Sequence, residues 1–147
     1  MEMNPNNQDE STGYLLYHLT MLMQRKMKRE LDKLDITHTQ FVILAAAFML
    51  SEKNQSVNQI EIANQSKMDK MMVSKVLRTL QSKGLLTRQE HLTDTRAKII
   101  QLTEDGNALF KKAFVVVKKV EKEFFGHLEN EVESFNEKIK ILLTHNQ

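Results

Sequence analysis

Gln59–Leu102, QIEIANQSKMDKMMVSKVLRTLQSKGLLTRQEHLTDTRAKIIQL, reads as two helices joined by a tight turn and followed by a basic hairpin of two short strands. Gln59, Ala63, Met68, Val73 and Val76 stand at the spacings that a helix-turn-helix core requires. Ala63 falls where the two helices would cross, and a larger side chain there would push them apart. Lys67 occupies the place where glycine is commonest, so the spacing predicts a longer or looser turn. Asp69 is expected to N-cap the second helix, its carboxylate taking orphan N–H groups at the positive end of the dipole. Gly84 is expected to end that helix as a left-handed residue just past its C-cap.

At about 100° per residue, residues 70–82 divide into two arcs. Met72, Val73, Val76, Leu77 and Leu80 form the apolar one; Lys70, Met71, Ser74, Lys75, Arg78, Gln81 and Ser82 form the other. The second arc carries three cations and no carboxylate, with hydroxyl and amide groups between them. Such a face suits a groove lined with phosphates. A merely solvated basic face has the same composition, so the arc does not decide by itself.

Leu86 to Glu90 and Ala97 to Leu102 read as strands. Between them, Thr93, Asp94 and Thr95 are turn formers whose side chains can bond back to their own backbone. Asp94 and Arg96 are two residues apart, which in an extended segment places both on one face and lets the carboxylate aim the guanidinium. An aimed arginine suits a narrow minor groove; the bland alternative is a surface ion pair worth at most about 1 kcal/mol. His91, at the start of the loop, is a further candidate for a phosphate contact.

Charge is concentrated on the same stretch. Lys67–Lys98 holds eight Lys and Arg against three Asp and Glu, a net +5, whereas the rest of the chain is −3 and the whole only +2. A local basic stripe on a helix-turn-helix is the electrostatic footprint of a DNA-binding surface.

DKMMVSKVLRTLQSKGLLTR followed by DTRAKIIQLTEDGNAL resembles the MarR family of bacterial winged-helix transcription regulators, over Val57 to about Leu109. The most specific parts are Lys83-Gly84-Leu85 at the end of the second helix, Asp94-x-Arg96 in the wing, and Leu102, Thr103 and Gly106 after it. The resemblance implies a homodimer, a recognition helix in each of two major-groove half-sites, and Arg96 reaching into the flanking minor groove. It also implies control by a small aromatic ligand held between dimerisation helices and the winged domain. Tyr14, Tyr17 and His18 can line such a cleft, and are equally explained as amphipathic packing.

Flanking segments are helical by periodicity. Leu15, Leu16, Leu19, Met23, Met27, Leu31 and Leu34 define a helix of some twenty residues whose apolar stripe needs cover. Thr37-x-x-Gln40 is a capping-box signature, and it opens FVILAAAFML, ten apolar residues in a row. A membrane span needs about 20, so this stretch is expected to be a helix buried on all sides. Thr103 can cap a long helix bearing Leu109, Phe110, Ala113, Phe114, Val116, Val117, Val120 and Phe124. Gly126 is expected to interrupt it, before a last helix with Leu128, Val132, Phe135, Ile139 and Leu142 on one stripe. More apolar helix surface than one small domain can cover points to a second copy related by a two-fold axis.

The expected fold class is mainly α with a small two-stranded β wing: a winged helix-turn-helix core over residues 36–103, flanked by dimerisation helices at 12–35 and 104–147. Residues 1–11 have little apolar payload and read as a disordered leader. No basic segment precedes an apolar stretch near the start, so no signal peptide is expected, which together with zero cysteines favours the cytoplasm.

Several chemistries find no support. There is no Gly-rich phosphate loop, no Gly-x-Ser-x-Gly, no His-Glu-x-x-His and no cysteine, so an enzyme is not expected. Thiol-based regulation has no residue to act on. Of the nine methionines, Met23, Met27, Met49 and Met72 sit at core spacings and are expected to pack. Glu123, His127 and Glu131 would align for a metal only on an unbroken helix, which Gly126 opposes. The sequence therefore predicts a homodimeric DNA-binding regulator without cofactor or metal, and the resemblance implies a repressor. Lys70, Met71, Ser74, Lys75, Arg78, His91, Asp94 and Arg96 form its DNA surface. The alternatives are a winged helix that contacts only proteins, and a metal-responsive regulator.

Overall fold

The computed structural model describes residues 11–90 and 98–147, and its element order follows from local signals. Helix α1 spans Thr12–Asp32 and begins at Ser11, whose hydroxyl accepts from the Tyr14 N–H. Helix α2, His38–Lys53, opens with the expected capping box: Thr37 Oγ1 accepts from Gln40 N–H at 3.0 Å, and Gln40 Oε1 accepts from Thr37 N–H at 3.1 Å. Then come strand β1 (Val57–Asn58), helix α3 (Gln59–Ser66), helix α4 (Lys70–Ser82) and strands β2 (Leu86–Glu90) and β3 (Lys98–Leu102). Helix α5 spans Glu104–Phe125, a 3-10 turn covers Gly126–Glu131, and helix α6, Val132–His145, ends the chain's regular structure.

β2 and β3 form the expected antiparallel wing, with Leu86 opposite Leu102 and Arg88 opposite Ile100. The sheet differs from the two-stranded expectation by one strand. β1 pairs with the other edge of β3, Val57 opposite Ile100, giving the order β1-β3-β2. Two residues are too short to leave a periodic pattern, but Val57 is buried and belongs to the core.

α2 is the centre of that core. Phe41, Ile43, Leu44, Ala46 and Ala47 are buried, and Val42, Ala45, Phe48 and Leu50 are half-buried against them; only Met49, placed in the core by its spacing, is exposed. α5 locks onto α2 through Phe110, whose ring lies 4.6 Å from that of Phe48 and 5.9 Å from that of Phe41. No helix among the described residues is long and apolar enough to cross a membrane.

The turn between α3 and α4 corrects a second expectation. It is neither long nor loose: Lys67, Met68 and Asp69 suffice, because Lys67 itself adopts the left-handed conformation, φ 59°, ψ 25°. For a residue with a Cβ this costs about 1 kcal/mol. At the other end of α4, Gly84 has φ 75° as expected. Leu85 N–H donates to Leu80 C=O and Gly84 N–H to Gln81 C=O, both at 3.0 Å, completing a Schellman closure.

The wing returns to that closure. Thr103 N–H donates to Leu85 C=O at 3.1 Å and Thr103 Oγ1 donates to Gly84 C=O at 2.7 Å. The same hydroxyl accepts from Gly106 N–H at 3.0 Å, starting α5. Gly106 is buried, and a Cβ on it would lie 1.9 Å from the Leu85 carbonyl oxygen.

Gly126 interrupts the long helix as expected, and Glu129, at φ 54° and ψ −119°, breaks helical geometry within the turn. Glu123, His127 and Glu131 therefore do not share one continuous helix face.

Gly106→Ala should lower the unfolding free energy by at least about 2 kcal/mol, since a backbone oxygen must move. Lys67→Gly should raise it by a few tenths to about 1 kcal/mol, relieved strain outweighing the extra unfolded-chain entropy. Urea denaturation of each variant against the wild type measures both.

Candidate nucleic-acid interface

α4 begins where Asp69 takes up its orphan donors: one carboxylate oxygen accepts from Met71 N–H at 2.8 Å and Met72 N–H at 3.1 Å. Asp69 shares a notch with Met71, Met72, Lys75 and Arg78, and one of its oxygens is committed to capping. Val73, Val76, Leu77 and Leu80 are buried against the core, as their arc requires. Met72, assigned to the same arc, is instead 49% exposed. It stands at the arc's edge, about 80° from its centre at 100° per residue, in the first turn of α4.

Five of the expected site residues share the outer face of α4. Lys70, Met71, Lys75 and Arg78 are exposed and Ser74 is half-buried. Arg78 Nη2 donates to Ser74 Oγ at 3.4 Å, a long contact that leaves most of the guanidinium open to solvent. Thr79 and Ser82 turn their hydroxyls back to helix carbonyls, Lys75 O at 3.3 Å and Arg78 O at 3.0 Å, and so contribute less to the outer surface. His91, Asp94 and Arg96 lie outside the described residues.

A further cation joins the face from β2. Arg88 Nη2 donates to Gln59 Oε1 at 3.1 Å, linking the wing to the first residue of α3. Its Nε is buried with no hydrogen-bond partner among the described residues. Burial first, and then the nearby positive charge of Arg78, hold the Arg88 guanidinium below its ordinary pKa. Arg78 on α4 is thus near enough for its charge to act on Arg88 of β2, and no ion pair among the described residues engages either. Among the described residues no ion pair engages Lys70, Lys75, Arg78 or Arg88. Sequence spacing does not reveal Arg88, because its partner Gln59 lies 29 positions away; its place in the basic stripe was the available signal.

An uncompensated cationic face on the outer side of the second helix of a winged helix-turn-helix defines a class of nucleic-acid-binding fold. Comparison with known proteins agrees. A family model described as ArnR1-like, winged-helix domain matches residues 32–121. The uncharacterized HTH-type transcriptional regulator YdcH of Bacillus subtilis is 36% identical over 115 residues, 78% of each chain. The HTH-type transcriptional repressor Mb2911 of Mycobacterium bovis is 30% identical over 110 residues, 75% of this chain and 76% of its own. A crystal structure of a mutant MarR from Escherichia coli complexed with operator DNA superposes with a TM-score of 0.82, covering 96% of this chain and 99% of that one at 23% identity. The chain belongs to the ArnR1-like winged-helix family of HTH-type transcriptional regulators, and its fold is the one MarR has.

Loss of the Asp69 cap tests the local construction. Asp69→Ala should cost about 1 kcal/mol of stability, read by urea denaturation, because two N–H groups lose their acceptor.

Proposed function

We propose that this regulator binds a pseudo-palindromic duplex operator as a homodimer and represses transcription from it. The observation that carries the reading is the outer face of α4. Lys70, Lys75 and Arg78, joined by Arg88, present positive charge that no carboxylate among the described residues neutralises. Phosphates are the partner such a face lacks. In this reading Lys70, Met71, Ser74, Lys75 and Arg78 enter the major groove, while His91 and an Arg96 steered by Asp94 serve the wing's contacts with backbone and minor groove. The operator occupancy of the MarR complex and the repressor designation of the mycobacterial relative support it.

Dimerisation is supported by what the protomer leaves open. On α1 only Met27 and Leu31 are buried, and the N-terminal half of its stripe, including Leu15, Leu16, Tyr17 and Leu19, is exposed. α6 buries no residue, and Ile139, Ile141, Leu142 and Leu143 face outwards. A second copy covering residues 12–35 and 104–147 removes this surface from water and sets two α4 helices about 34 to 36 Å apart. Release is assigned to a small aromatic effector. A cleft of about 330 Å³ between α1 and α5 sets the apolar Val116, Val120 and Phe124 beside both cations and carboxylates, among them Lys26 and Glu123, and Lys26 Nζ sits 5.7 Å from the Phe124 ring centre. Such a regulator works in the cytoplasm.

Selection from random duplex DNA, followed by binding of the selected site at a series of salt concentrations, tests this. We expect a two-fold symmetric site. Lys75→Ala should reduce the slope of log affinity against log salt by about 1.8, one phosphate contact per protomer, and Arg96→Ala should weaken binding with most of the loss at the flanks of the site. Failure to enrich any site, with Lys75→Ala indistinguishable from wild type, overturns the reading in favour of a winged helix that binds only proteins.

A further inference from the structure

Resting on the reading of α4 as the groove-entering helix, we propose that Met71, with Met72 beside it, recognises the C5 methyl group of a thymine, one in each half-site. Met71 is 82% exposed, the highest value among the exposed large hydrophobic residues described, and Met72 is 49% exposed. Neither position is needed for the core, and water-facing positions of an amphipathic helix are ordinarily polar. Their backbone N–H groups are the two that Asp69 caps, which places both side chains in the first turn of α4. The first turn of a recognition helix is the part that meets base edges.

The surroundings select the occupant. Met71 and Met72 line an open notch with Asp69, Lys75 and Arg78, and Lys70 adjoins it in sequence. An apolar protein surface seated there would desolvate three cations and give them no counter-charge. A duplex supplies phosphates to those cations and offers, on the floor of its major groove, one apolar group, the thymine methyl. An unbranched thioether can bend to meet that methyl without demanding a fixed geometry. In this arrangement Lys75 and Arg78 hold the register while the two methionines discriminate thymine from cytosine and the purines.

The test uses the selected operator, with each thymine replaced in turn by deoxyuridine, which deletes one methyl and keeps every hydrogen-bonding group. Fluorescence anisotropy with full-length wild type, Met71→Gln and Met71→Leu reads the affinities at a single salt concentration. For wild type, one symmetry-related pair of replacements should weaken binding about fourfold per methyl, and about fifteenfold for the pair. Met71→Gln, similar in length but polar, should bind the thymine and deoxyuridine forms equally, and Met71→Leu should restore most of the discrimination. If every replacement affects wild type and Met71→Gln alike, the thymine inference falls while the operator still upholds the regulator. If no operator is enriched, both fall together.

Discussion

The contact on which the rest of the structure depends is the approach of the first turn of α5 to the closure of α4. Gly106 lies so close to the Leu85 carbonyl that no side chain fits between them. Thr103 joins the two backbones with one donated bond from its N–H, one from its hydroxyl, and one accepted by that hydroxyl. Three chain segments therefore meet in a few residues: the end of α4, the end of the wing at β3, and the start of the longest helix. Because the closure of α4 is itself fixed by Gly84, the direction of the exposed face is set relative to α5, not relative to a loop. A rigid element held in this way meets the positional demand that reading base edges makes on a side chain.

On the proposed reading, that junction also gives a physical route from an effector to DNA. The α1–α5 cleft is lined on one side by Val116, Val120 and Phe124, all on α5, and α5 continues without a break to Thr103 and Gly106. Phe110, between the cleft and the junction, is wedged against Phe41 and Phe48. On the proposed reading, a ligand that re-seats α5 cannot do so without moving the α4 closure or repacking the aromatic cluster. Both are costly in a well-packed interior, which favours two discrete arrangements over a continuous bend.

What could be read from the sequence was whatever depends on neighbours a few residues apart. The capping box of Thr37 and Gln40, the Asp69 and Thr103 caps, the left-handed Gly84 and the break at Gly126 are all hydrogen-bonding or backbone preferences within one turn of helix, and the structure has each of them. Features that depend on remote segments were illegible. Arg88 meets Gln59 across 29 positions, β1 exists only because β3 offers it an edge, and Gly106 is constrained by the carbonyl of Leu85, in the connection between α4 and β2. Met72 and Met49 show the limit of periodicity itself, which locates the centre of an apolar arc but not where its covering partner stops. Lys67 shows a different limit: the pattern marked an unfavourable residue but not whether the chain would lengthen the turn or accept the strain, and it accepted the strain.

The electrostatics of the face follow the same division between what folding requires and what it leaves unresolved. Asp69 is committed to the helix end and Gln59 to Arg88, so both of these polar groups beside the cations serve the fold. Arg78 and Arg88 are left to repel one another, and the desolvated Arg88 Nε lacks an acceptor among the described residues. In the isolated protomer this arrangement is unfavourable, since a buried donor without a partner and two like charges each oppose folding. The fold tolerates the cost because Val73, Val76, Leu77 and Leu80 anchor α4 independently of its outer face. On the proposed reading, a phosphate brought against that face offsets the repulsion between the two guanidinium groups, so part of what opposes folding returns as affinity for a polyanion, the division expected where local rules of stability give way to a binding site.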